Sequence, residues 1–116
     1  MYTKELDSLL EASFGFDIDA IWYNVCGRYE NESYSKKIDI FCDAVRKGLI
    51  EKRLRIVDSG VFLEGSPDEL VSLFRKNFPE KECFINEALF SLDCNNNTWA
   101  PGGAVWITPK VKEIWT

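Results

Sequence analysis

The chain has 116 residues, 46% of them hydrophobic and 14% aromatic, with a formal net charge of -5 and a pI of about 4.8. Length and apolar content fit one globular domain with its own core, residues 1–116, and exclude a disordered chain. The acidic balance disfavours nucleic acid and anionic membrane as partners and favours a basic one.

Residues 3–13 are predicted as a first helix, with Thr3 as its N-cap and Leu6, Leu9 and Leu10 on one side. Phe14-Gly15-Phe16 breaks it. A second helix over 17–31 starts at Asp17 or Asp19. It carries Ile18, Trp22, Val25 and Tyr29 at helical spacing, so it belongs deep in the fold. A third helix, 34–51, is capped by Ser33 or Ser35 and striped by Ile38, Phe41, Cys42, Val45 and Leu49. Arg46, Lys47, Lys52 and Arg53 gather at its end, where cations suit the helix dipole.

Leu54–Val57 alternates as a strand, Asp58-Ser59-Gly60 turns, and Val61–Leu63 pairs back. Ser66-Pro67-Asp68-Glu69 is a capping box with proline at the first helical position, opening a fourth helix over 67–78. Leu70, Val71, Phe74 and Phe78 share its apolar face until Pro79 stops it. Glu80–Asn86 is ambiguous. Ala88–Leu92 fits a helix or a strand, with strand preferred, and Asp93–Asn97 is a loop by composition. Ala104–Ile107 is a strand candidate, and Val111–Trp115 returns as a last short one. The expected fold is α+β, with four helices on a small, mostly antiparallel sheet.

Chemistry is sparsely signalled. The chain contains no histidine, so Ser-His and Cys-His pairs are absent. Its four cysteines lack C-x-x-C spacing and read as reduced, mostly buried thiols without a metal. Asp93-x-Asn95-x-Asn97 begins like a calcium loop, but Thr98 and Ala104 replace the glycine and bidentate glutamate that such a loop requires. Gly102-Gly103 has no following Lys-Ser/Thr, so it is not a phosphate loop. These features point away from an enzyme, from a cofactor and from a metal. The N-terminal stretch lacks the pattern of a secretion signal and no apolar run is long enough to span a membrane, which places the expected location in the cytoplasm. Trp22, Trp99, Trp106 and Trp115 read first as core, with an exposed interface anchor as the alternative for Trp99.

Three segments carry a family resemblance: WYNVCGRYENESYSKK, GVFLEGSPDELVSLFRKNFP and WAPGGAVWITPKVKEIW. Together they resemble a family of small bacterial proteins, some of them encoded beside polymorphic toxins of contact-dependent growth inhibition systems and acting as immunity proteins. The resemblance runs from about Ile21 to Trp115. It implies a stoichiometric inhibitor of a cognate toxin domain, with a basic nuclease as the expected target. A small regulatory adaptor and a carboxylate-based enzyme are the alternatives. Carboxylates would then take the place of phosphates in the toxin's groove. The expected contact surface comprises Asp17, Asp19, Glu30, Glu32, Asp58 and Glu64, with Asp93 and Trp99 as a neighbouring anchor.

Overall fold

A computed structural model describes residues 2–79 and 102–116. The helices are α1 (Tyr2–Ser13), α2 (Asp19–Arg28), α3 (Tyr34–Ile50) and α4 (Pro67–Asn77). The strands are β1 (Leu54–Asp58), β2 (Val61–Phe62), β3 (Gly103–Ile107) and β4 (Glu113–Trp115), all antiparallel in the order β2-β1-β3-β4. This is the expected α+β arrangement. The strand preferred at Ala88–Leu92 and the loop at Asp93–Asn97 lie outside the described residues.

Local chemistry explains most boundaries. Ser33 is the cap of α3, its Oγ accepting from the Lys36 amide at 3.1 Å. At α4 the capping box is complete: the Glu69 amide donates to Ser66 Oγ at 3.2 Å, and the Ser66 amide to Glu69 Oε1 at 3.1 Å. Between β1 and β2, Ser59 and Gly60 take φ values of +52° and +82°. With Asp58 paired to Val61, this two-residue loop has the primed-turn twist that fits a hairpin.

Three expectations are corrected. Thr3 lies within α1 rather than capping it, because the helix already includes Tyr2. The second helix starts at Asp19, one of the two expected starts, with Ile18 at the capping position and no side-chain bond there. It stops, however, at Arg28, three residues short of the expected end, where the Tyr29 amide closes onto the Val25 carbonyl. In the last segment β4 begins only at Glu113, since Val111 sits at φ +60° in the turn before it.

The main core lies between helices and one sheet face. Leu54, Ile56, Ala104 and Trp106 alternate onto that face and are buried against Leu9, Leu10, Ile21, Val25, Ile40, Phe41 and Val45. Gly48 on α3 makes the approach close: a Cβ placed there would stand 2.7 Å from Leu54 Cδ2. A second cluster of rings, Trp22, Tyr34, Phe41, Phe74 and Phe78, ties α4 to α2 and α3 through edge-on and tilted contacts. Trp106 also donates its indole N–H to the Phe16 carbonyl at 2.7 Å, which fixes the α1–α2 connection.

Candidate functional site

The other face of the sheet carries Arg55 on β1, Phe62 on β2, Val105 on β3 and Trp115 on β4. Arg55 and Trp115 both lie directly opposite Val105. Phe62 and Trp115 belong to the two outer strands, yet their ring centroids are 5.3 Å apart. Three interstrand spacings on a flat sheet would separate those strands by about 14 Å. The rings therefore meet because the sheet curls towards this face. Val105 is fully buried there, and the Arg55 guanidinium carbon sits 3.7 Å from the Phe62 ring centroid, a cation–π contact.

Beside this cluster a concavity of about 1040 Å³ opens between the β2–α4 corner and the β3–β4 hairpin. Leu63, Gly65, Pro67 and Leu70 form one wall, and Ile107, Val111 and Trp115 the other. Lys52, Arg55, Lys112, Glu64 and Glu113 are its charged lining residues. None of the five forms an ion pair with another among the described residues. Val111 and Trp115 are 79% and 50% exposed, so apolar surface faces solvent at the mouth. Trp115 is thus not core, whereas Trp22 and Trp106 are buried as expected.

The acidic residues expected to form one contact surface are distributed over three places. Asp17 Oδ1 accepts from the Ile18 amide at 2.7 Å, and from the Ala104 amide and Thr116 hydroxyl at 3.3 Å each. It joins the start of α2 to β3 and the last residue of the chain. Asp19 is half-buried, and burial first, then Asp17, pushes its carboxyl above the usual range. Asp58 lies at the same end of the sheet, following the Val57–Gly103 pair, and accepts from the Ser59 hydroxyl at 3.3 Å.

Glu30 and Glu32 occupy the exposed turn beyond the far end of α2, whose ten residues extend about 15 Å from Asp19. Glu64 lines the concavity. Asp93 and Trp99 lie outside the described residues. The basic middle of the chain is largely matched internally: Arg46 pairs with Asp68 at 2.6 Å, and Lys47 and Arg53 reach Asp7 at 3.2 and 2.9 Å.

What sequence reading missed is the convergence of Arg55, Lys52 and Lys112 with Trp115. Alternation in RLRIVD puts Arg55 on the face opposite Leu54 and Ile56. The curl that brings the two outer strands together has no comparable local signal. Among the described residues, no group of three or more Cys, Asp and Glu could hold a metal ion; Cys26 is half-buried and Cys42 buried.

Fold and concavity together define a small α+β domain whose second sheet face is partly closed by its own curl. Residues 49–116, which include every strand, α4 and all the concavity residues named above, match the family described as Protein of unknown function, DUF596, and the chain belongs to that family. A solved structure from Neisseria meningitidis, described as an uncharacterized protein conserved in bacteria, is similar over 98% of this chain and 88% of its own. Its TM-score is 0.75 and its sequence identity 21%, a likeness of fold. No curated protein matches the chain. Among the described residues, no helix is long and apolar enough to cross a membrane.

Proposed function

We propose that this protein is an immunity protein, a stoichiometric inhibitor that binds and neutralises a cognate contact-dependent growth inhibition toxin domain in the cytoplasm. The observation that carries this reading is the acidic turn between α2 and α3. Glu30 and Glu32 are exposed there and make no side-chain hydrogen bond or ion pair among the described residues. The backbone beneath them is held, since the Glu32 amide donates to the Tyr29 carbonyl at 2.9 Å and Ser33 caps α3. Unspent carboxylates on a held backbone, in a protein of net charge -5, suit encounter with a basic surface. They act as binding groups, with no catalytic step assigned to the chain.

The test pairs growth protection with binding kinetics against the toxin domain encoded beside this gene. Coexpression should restore growth. Association should slow as salt shortens the Debye length below about 10 Å. Glu30→Lys with Glu32→Lys should lower the on-rate about tenfold at low salt while leaving the fold intact. Salt-insensitive binding that the reversals leave unchanged would remove the acidic turn from the interface. Failure both to bind and to protect would refute inhibition of that toxin.

A further inference from the structure

The Arg55 guanidinium is held in place by stacking on Phe62, and Phe62 is in turn backed by Trp115. Stacking uses the flat face of the guanidinium and leaves its N–H edge, with five donors, available. Among the described residues that edge meets no acceptor, although Glu64 and Glu113 line the same concavity. Lys52 and Lys112 add two more cations that form no ion pair among the described residues. The lining charge is therefore positive in a chain that is acidic overall. Apolar walls from Leu63, Leu70, Ile107 and Trp115 adjoin it.

We propose that this concavity is a binding site for a small monocarboxylate with an apolar body, the carboxylate taking the Arg55 fork and the body lying against Leu63, Ile107 and Trp115. A planar carboxylate matches a fixed guanidinium edge through two parallel hydrogen bonds. Ring stacking has already restricted the guanidinium, so less freedom is lost when the ligand binds. A volume of about 1040 Å³ accommodates a ligand of drug-like size and leaves room for water at the mouth. Glu64 and Glu113 act against anions approaching in other orientations and against ligands carrying several negative charges. The site is independent of the acidic turn, so its failure would leave the toxin-inhibitor reading untouched.

The probes are octanoate, octanol and octylammonium, titrated into the intact protein and followed by backbone and indole NMR shifts. Octanoate should move the resonances of Arg55, Leu63, Ile107 and Trp115 in a saturable way. It should bind at least about tenfold more tightly than octanol or octylammonium. Arg55→Gln should weaken octanoate about tenfold or more while leaving octanol unchanged. Because Arg55 also stacks on Phe62, Lys112→Glu provides a second variant at an exposed turn position, with an expected loss of about fivefold. The proposal is overturned if octanoate does not saturate these resonances, if octylammonium binds equally well, or if octanoate binds both variants as it binds the parent chain.

Discussion

Replacing Ser66 with alanine tests whether the capping box holds the β2–α4 corner. The box supplies two bonds of 3.2 and 3.1 Å, both near the long end of the N–H···O range and both exposed. Alanine removes the first acceptor and leaves the Glu69 amide to water. Cap losses span about 0.5–2 kcal/mol; the long, solvated geometry places this one near 1 kcal/mol. For a chain of this size that corresponds to a melting shift of about 4 °C. Glu69→Ala should cost about 0.5 kcal/mol through the reciprocal bond and the lost charge at the helix N-terminus. Urea melts of both single variants and the double variant would measure the coupling. Hydrogen exchange should show the first turn of α4, beside Gly65 and Pro67, losing more protection than the core amides, whose loss follows the global change. A Ser66→Ala variant as stable as the parent, or a first turn of α4 no more affected than the core, would refute this account.

Gly48→Ala should destabilise by about 1 kcal/mol, since overpacking against buried Leu54 costs more than the gain in helix propensity returns. A stabilised variant in thermal melts would contradict the close approach of α3 to β1. Lys47 lowers the carboxyl pKa values of Asp7 and Glu51, with Arg53 assisting. A lowered folded-state pKa means stability that is present above about pH 4 and lost as pH falls through the folded values. Melting temperature should therefore drop below pH 4, and Arg53→Gln should flatten that slope. Burial pushes the Cys42 thiol up to about 11, so a thiol reagent at pH 8 should modify native Cys26 well before Cys42. Equal rates by mass mapping would contradict the packing around Cys42.

The elements set by contiguous chemistry were legible in the sequence. Ser66, Pro67 and Glu69 specify the start of α4 within four residues, and the helical stripe of α3 is long enough to override its β-branched members. Ser59-Gly60 between two apolar runs specifies the hairpin. Failures came where distant residues decide. Asp17 reads as a candidate start of α2, but its partners include Ala104 and Thr116, nearly the whole chain away. Trp115 has core chemistry, yet its place on an outer strand leaves half of it exposed. The acidic surface appeared single because charges were grouped along the sequence. In the fold, the length of α2 separates Asp19 from Glu30.

The pairing of β1 with β3 has a consequence for how the molecule assembles. Leu54 faces Trp106 across a long intervening segment that contains β2 and α4. Closing a loop of roughly 45 residues costs about 3 kcal/mol of chain entropy before the first contact between them is made. The β1–β2 hairpin and the contacts among α1, α2 and α3 involve shorter closures and can form earlier. The α1–α3 layer and the hairpin then provide a template on which β3 docks, followed by β4 through its short turn. In this order, weakening β3 chiefly accelerates unfolding, whereas weakening the α1–α3 layer slows folding. The concave face of the sheet, built from both outer strands, is complete only at the last step.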